Sequence, residues 1–420
     1  MKTGTKGWLK DFLDARRERL VASFSDARGR NTHPEHSLYR VIQPTGLMYG
    51  LSFDEETPSD HPTEHRDRLK YLLAESLIAS SLVSSDKPVA TPEELESLMS
   101  MTLEKIGSFY NSIFPEIATA TKTLLGRRKS AVEIVEQVID RRIDYTARFA
   151  DNFWSYFFHN SLLFLDVFIF GQWVHTNADR IVADFFRYER DELRFSVVKV
   201  IAAAAHANHE ISFEERRLYD LFVESAELSN THKKEALKIF EEGIAVEDIN
   251  LTSEHSWILK KFFLEISILT IWADKKVEKI ELDFLKRFCH YLGLSDEDLE
   301  NSMIAIEGFI LEHWHALERL QDRQNFEALG ERFINRLSKL MERNKTRLTK
   351  LLKGNHELVD LVRKGRAFEL RDEEKERLRQ LMLDALRNIP AFAAIPLPQG
   401  FLTLSVLLRI LPRNLFEAIG

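Results

Sequence analysis

Ala207-Asn208-His209-Glu210-Ile211-Ser212-Phe213-Glu214-Glu215 is matched, 66 residues further on, by Ala273-Asp274-Lys275-Lys276-Val277-Glu278-Lys279-Ile280-Glu281. The offset holds outside this stretch. Upstream, Val198, Val200 and Ala205 meet Leu264, Ile266 and Ile271; downstream, Leu218, Phe222, Leu228 and Ser229 meet Phe284, Phe288, Leu294 and Ser295, and Phe240 and Ile244 meet Ile306 and Ile310. Apolar residues held in register over this distance describe a duplicated helical unit. Each copy carries an apolar stripe too exposed to stand alone, and the two bury one another across a pseudo-two-fold. Within each copy a polar turn ends one helix. Ser212 and Glu215 have capping-box spacing for the start of the next, and Glu278 in place of the serine weakens the cap in the second copy.

Composition extends the helical reading to the whole chain. In 420 residues there are only 16 glycines and 11 prolines, which favours helices and leaves strands little room. The length calls for more than one compact unit. The single cysteine, Cys289, excludes an intramolecular disulfide and a cysteine-based zinc cluster. Between Phe288 and His290 it reads as a small buried hydrophobe in a reducing compartment. The start of the chain mixes Trp8, Leu9, Phe12 and Leu13 with Lys6, Lys10, Arg16, Arg17 and Arg19. That is no secretory segment but a basic amphipathic helix, which either docks on the protein body or lies on an anionic membrane.

Punctuation residues divide the chain into an arm (1–62), a helical bundle unit (63–190), the duplicated domain (191–318) and a C-terminal region (319–420). Asp54 to Pro62 is polar and proline-bearing, and it separates the arm from the first bundle helix. Thr91, Pro92 and Glu94 form a capping box with proline at the first helical position. Pro115 and Gly126 interrupt the run that follows. Phe153 to Val174 is apolar and long enough to cross a bilayer. Asp166 sits past its middle, however, and an ionisable group in hydrocarbon is costly unless paired. A buried bundle helix is the expectation, with an intramembrane functional Asp166 as the alternative.

Ala-Asp-x-x-Val-x-x-x-Glu from Ala273 to Glu281, followed by Leu292-Gly293-Leu294-Ser295, resembles the TerB-like domain named for tellurite-resistance proteins. The resemblance implies an all-helical fold whose acidic turn holds a divalent cation. The ligands it implies are Asp274 and Glu281, with Asn208 and Glu215 in the sister copy. The family's glycine after the aspartate is His209 in one copy and Lys275 in the other, and a lysine there opposes a bound cation. Helix capping is the other role for those carboxylates.

The C-terminal region begins with Phe326, Leu329, Phe333, Leu337, Leu340, Leu348 and Leu351 at three- and four-residue steps, a long amphipathic helix that Gly354 is expected to terminate. Residues 332–366 hold 11 Lys or Arg against 3 Asp or Glu, a balance of +8 in a chain of formal charge -8. Such asymmetry points to a polyanion, either an anionic membrane surface or RNA, with a solvated helix face as the alternative; a protein partner is the other contact expected of the chain. The candidate contacts are Arg336, Lys339, Arg343, Arg347, Lys350 and Arg409. Next come Glu369-Leu370-Arg371-Asp372-Glu373-Glu374-Lys375, Gln380-Leu381-Met382-Leu383-Asp384, Ile389-Pro390, and Leu397-Pro398-Gln399-Gly400 with its apolar tail. This order is similar to the LETM family, the leucine-zipper and EF-hand-containing transmembrane proteins and their bacterial relatives.

A TerB-like repeat followed by a LETM-like tail resembles the bacterial proteins grouped as LETM-related and biofilm-associated. The resemblance implies a membrane span, cation/proton exchange and ribosome binding. The chain stops at Gly420, so the downstream ribosome-binding domain, EF-hand and zipper are not expected. Pro396, Pro398 and Gly400 break the apolar stretch 391–411 and leave Phe401 to Leu411 at roughly 16 Å of helix, about half a bilayer core. A kinked span, a re-entrant hairpin and a hairpin buried in the bundle all remain open.

No phosphate loop, nucleophile elbow or His-Glu-x-x-His occurs. Glu312-x-x-His315 lacks a second such pair, and His206 with His209 lacks further ligands. The sequence therefore reads as a non-enzymatic, all-α multi-helix bundle. It has no resident cofactor beyond a possible divalent cation, no DNA partner and no small-molecule substrate. Its expected role is that of a cytoplasmic scaffold or adaptor at the inner face of a bacterial membrane, attached through the C-terminal segment. The alternatives are a cation-handling component and a ribosome-associated protein.

Overall fold

The computed structural model describes residues 6–16, 33–49, 65–83, 91–123, 126–146, 153–176, 180–207, 216, 219–220, 222–224, 226–249, 251, 256–272, 279–314, 323–389 and 391–412. The protein is an all-helical, multi-helix bundle. Among the described residues the only extended pairing is an isolated bridge between Lys122 and Arg128. The chain forms two compact units, Met1–Leu294 and Ser295–Gly420. This division runs through the turn of the second repeat copy, whereas the sequence pattern draws one boundary after 318.

In the first unit, α1 (residues 8–16) lays Trp8, Leu9, Phe12 and Leu13 into the interior, all nearly inaccessible. Docking on the body is thus the fate of this basic helix. Trp8 meets the edge of Tyr71, and Phe12 stacks on the same ring. The Glu136 carboxylate accepts the backbone N–H groups of Gly7 and Leu9, so an acid distant in sequence satisfies donors that a helix start leaves open.

α2 (Pro34–Ile42) follows, then α3 (His65–Val83) and α4 (Pro92–Ile113). The box at the start of α4 forms as its residues predict: Thr91 accepts from Glu94 N, and Glu94 accepts from Thr91 N. Next are α5 (Ala131–Thr146), α6 (Phe153–Trp173) and α7 (Arg180–Ala205). In α6 every residue from Asn160 to Phe170 is buried, as expected of a helix that is apolar all round and lies inside a bundle. No helix among the described residues is long and apolar enough to cross a membrane.

Two helix starts fall at the 66-residue offset read from the sequence. α8 (Asn230–Glu242) and α11 (Asp296–Glu312) start one residue after Ser229 and Ser295, and both serines cap, accepting from His232 N and Asp298 N. The helices before the aligned turns, α7 and α9 (Trp257–Trp272), pack together. Between α9 and α11, α10 (Lys279–Tyr291) buries Phe284, Phe288 and Cys289. The Ser212/Glu215 box lies outside the described residues. Two residues before each capping serine the backbone turns left-handed, at Gly293 (φ 69°) and at Glu227 (φ 55°). Glycine adopts that conformation freely, and a residue with a Cβ does so at a cost of about 1–2 kcal/mol.

A buried polar cluster fastens α9 to the arm. Glu265 is fully buried and accepts from the hydroxyls of Tyr39 (2.5 Å) and Tyr49 (2.8 Å), with Lys261 Nζ at 3.4 Å. Glu35 accepts from Ser256 Oγ and Ile258 N at the head of α9. Burial first, then the Glu265 charge, pushes both tyrosine hydroxyls well above their ordinary range, so they remain donors at any physiological pH.

The second unit holds α11, α12 (Arg323–Arg343), α13 (Lys345–Lys353), α14 (His356–Ala367), α15 (Asp372–Arg387), α16 (Ala391–Ala394) and α17 (Leu404–Ile410). The long amphipathic helix is interrupted at Asn344, whose side-chain amide donates to Leu340 O while its backbone sits at φ -100°. Hydrogen bonding nevertheless continues across it, from Leu348 N to Asn344 O. Gly354 ends α13 in the right-handed region rather than the left-handed one usual for a terminating glycine. The Pro-broken tail is a hairpin within this unit: Phe392, Ile395, Leu402, Leu407, Ile410 and Leu411 are buried, and α17 packs on α12 and α15. Gly308 permits that closeness, since a Cβ there would meet Phe333 and Pro398 at 3.2 Å.

The contact of α1 generates a prediction. Glu136→Ala removes the acceptor for Gly7 N and Leu9 N and should weaken the docked helix by about 1–2 kcal/mol. Hydrogen exchange should then speed up in residues 7–13 while the amides of α6 stay protected. Uniform change across the chain would show that α1 is not separately held.

Candidate functional site

Among the residues nominated above, those of α12 and α13 form a continuous feature. Arg332, Arg336, Lys339, Arg343, Arg347, Lys350 and Lys353 recur at three- and four-residue steps, the spacing that places side chains on one side of a helix. The apolar residues Phe333, Leu337, Leu340, Met341, Leu348 and Leu352 face the core of the unit. From Arg332 to Lys353 the basic stripe runs roughly 32 Å.

Three of the six nominated cations are engaged within the protein. Arg336 Nε donates to Glu307 Oε1 at 3.2 Å, Arg343 pairs with Glu300 at 2.5 Å, and Arg409 pairs with Glu331 at 2.9 Å. Lys339, Arg347 and Lys350 are exposed and make no ion pair with a described carboxylate. Lys353 joins them at the next step, and its three-residue distance from Lys350 is the signal that identifies it. Two exposed apolar residues stand beside basic ones in the same unit. Leu408, at 46% exposure, precedes Arg409, and Phe368, at 72%, follows Lys364 by one helical turn.

The proposed cation turns are less complete. Asp274, Asn208 and Glu215 lie outside the described residues. Glu281 is buried in the first turn of α10, where its charge suits the positive end of the helix. Among the described residues no group of three or more His, Cys, Asp or Glu is placed to hold a metal. Glu312 is engaged otherwise: its two carboxylate oxygens accept from Gly400 N (2.7 Å) and Phe401 N (2.9 Å), closing the Pro-Gly turn. His206 Nε2 meets Phe240 O at 2.6 Å. His209 and His315 lie outside the described residues.

Asp166, the residue that argued against a membrane span, is the centre of a buried ionic network in the first unit. Arg142 donates to it through Nε (2.7 Å) and Nη2 (3.3 Å), and Tyr110 donates at 3.1 Å. Arg142 also reaches Glu227 at 3.2 Å, and Glu227 accepts from Arg194 at 2.5 Å. The guanidinium groups of Arg142, Arg190 and Arg194 lie 5.0–5.6 Å from the centre of the Phe114 ring, close enough for attraction to the ring face.

Electrostatics follow from this geometry. Burial disfavours the Glu227 charge, but Arg194 and Arg142 outweigh it and bring the carboxyl down to about 2. Burial also opposes the Arg142 cation, and Asp166 and Glu227 overcome it and raise its pKa. Arg194 is the converse case, lowered by burial that Glu227 only partly offsets. The network ties α4, α5, α6 and α7 to the repeat turn, which explains why a residue with a Cβ tolerates the left-handed backbone at 227. The sequence showed the charge of Asp166 but not its partners, because Arg142 and Glu227 lie distant in the chain.

Two expectations test this reading. Asp166→Ala leaves Arg142 without its main counter-charge and should cost about 3–5 kcal/mol in urea unfolding. Glu227→Gly and Glu227→Ala both remove the carboxylate, but only alanine keeps the backbone penalty, so the glycine variant should be the more stable by about 1 kcal/mol. Because Glu227 is lowered in the folded state, its stabilisation is present above its ordinary value near 4.5 and is lost as pH falls towards about 2. Equal stability of the two variants, or no loss of this acid dependence in either, would contradict the assignment.

No family model, no curated protein and no solved structure matches this chain. The TerB-like and LETM-like resemblances thus rest on the residues quoted for them.

Proposed function

We propose that the protein is a non-enzymatic helical scaffold that attaches reversibly to an anionic membrane surface through the stripe on α12 and α13. The LETM-like tail supports the inner face of a bacterial membrane as the place. The observation that carries the reading is the set Lys339, Arg347, Lys350 and Lys353, exposed at helical steps in a chain of net negative charge. Each cation near an anionic leaflet contributes about 1 kcal/mol. Four give on the order of 4 kcal/mol, an attachment that salt weakens. A lipid surface is favoured over RNA by Leu408, an exposed aliphatic side chain next to Arg409 on the helix packed against α12. Acyl chains offer it a partner, and a phosphate backbone does not.

Sedimentation with vesicles tests this. The full chain should pellet with phosphatidylcholine vesicles containing phosphatidylglycerol at low salt, should stay in the supernatant with pure phosphatidylcholine, and should be released at high salt. The triple variant Lys339→Glu, Arg347→Glu, Lys350→Glu should lose the anionic vesicles while keeping its helical circular dichroism. Indifference to lipid charge would sink the proposal, and binding to RNA alone would transfer the stripe to a nucleic-acid role.

A further inference from the structure

Behind the stripe lies one acid that its surroundings do not suit. Glu307 on α11 is 2% exposed, and its neighbours one turn away on the same helix are Met303, Ile304, Ile310 and Leu311, all buried. Oε1 accepts from Arg336 Nε, while Oε2 is buried and accepts no hydrogen bond from the described residues. A buried carboxylate with an unsatisfied oxygen is costly, and the neutral acid is less so.

Among the described residues the charged groups that face Glu307 are few. From α12 they are Arg336, at 3.2 Å, and Arg332, which acts on it through space. From the turn before α17, Pro398 lies against the neighbouring Gly308, and residues 395–400 contain no titratable side chain. Along α11 itself, Glu300 is engaged by Arg343 and Glu312 by the backbone of Gly400 and Phe401. Burial pushes the Glu307 carboxyl up to about 7, with Arg336 and Arg332 pulling the other way. Both protonation states are therefore populated near neutrality.

We propose that Glu307 is a protonation switch for the membrane-docking stripe: as a carboxylate it retains Arg336, and as a neutral acid it releases that cation and strengthens attachment to an anionic surface. The inference rests on the docking reading above and adds its regulation. The Arg336 side chain is 32% exposed, so it needs only a rotamer change to turn outward. Even without that movement, removing the negative charge behind the stripe raises its positive potential. The sign is fixed by the raised carboxyl. Attachment is stronger below about 7 and weaker above it, and the fold of the unit likewise loses stability as pH rises through this range.

The test measures partition of the full chain onto phosphatidylcholine vesicles containing phosphatidylglycerol at about pH 6 and about pH 8, in parallel with Glu307→Gln and Arg336→Gln. One released cation corresponds to about a fivefold tighter partition of the natural chain at the lower pH. Glu307→Gln should bind at both pH values as the natural chain does at the lower, and Arg336→Gln should bind weakly at both. Surface histidines and lipid headgroups add the same background to every chain, so the difference between the natural protein and Glu307→Gln is the readout. If the natural protein and Glu307→Gln show identical pH dependence, the switch is overturned while docking stands. If the natural chain ignores the vesicles at both pH values, docking fails and the switch falls with it. Should Glu307→Gln fold poorly, the Arg336 Nε–H resonance of the natural protein decides: it should shift with a midpoint near 7, and a resonance unmoved across that range overturns the proposal.

Discussion

The pairing of Arg142 with Asp166 is the constraint on which the first unit depends. α6 is apolar enough to occupy the centre of a bundle, yet it brings a carboxylate with it. That carboxylate is tolerable only if a cation and further donors converge on it. Convergence dictates how α4 and α5 lie against α6, because Tyr110 and Arg142 must point at the same atom. Through Glu227 the constraint passes on to Arg194 and α7, and thence to the turn between the helices of the first repeat copy. Apolar burial supplies most of the driving force for folding. The ionic network selects one arrangement among the many that would bury as much.

The second unit follows a different rule. Its interior is assembled from the aliphatic faces of α12, α13 and α15 and from the Pro-broken hairpin, while its charges are placed at the surface. Among the described residues Glu307 is the exception. An acid buried with one ordinary hydrogen bond leaves the unit sensitive to protons in a way that the fully engaged Asp166 does not leave the first. The contrast is one of partner number among the described residues: Asp166 accepts from Arg142 twice and from Tyr110 once, and Glu307 accepts from Arg336 alone.

Much of the architecture could be read from residues. Helix class, the capping box at Thr91, the buried Cys289 and the interior placement of residues 160–170 follow from local composition and period, which act over a few turns of chain, whereas for α1 the residues left docking and a membrane surface both open. The 66-residue offset aligned Ser229 with Ser295, but that both cap helices is visible only in the structure. The stripe on α12 and α13 was legible as well, because helical spacing fixes which side chains share a face. What stayed hidden depends on contacts between distant segments. The engagement of Arg336, Arg343 and Arg409 by Glu307, Glu300 and Glu331 removes three cations from a list that spacing alone could not shorten. The closure of the Pro-Gly turn by Glu312 similarly turns a metal-like pattern into a support for the backbone. Asn344 broke a helix whose apolar period gave no warning of it.

The left-handed residue at Glu227 has an implication for how two turns 66 residues apart can differ. In the second copy the same place is Gly293, which has no side chain and can impose nothing on neighbouring segments. In the first, a charged side chain occupies that corner and joins it to helices outside the repeat. The two turns are therefore not interchangeable parts: transplanting the second into the first would relax the main chain and at the same stroke disconnect it from α5 and α7. Drift at this corner is open in one half and closed in the other.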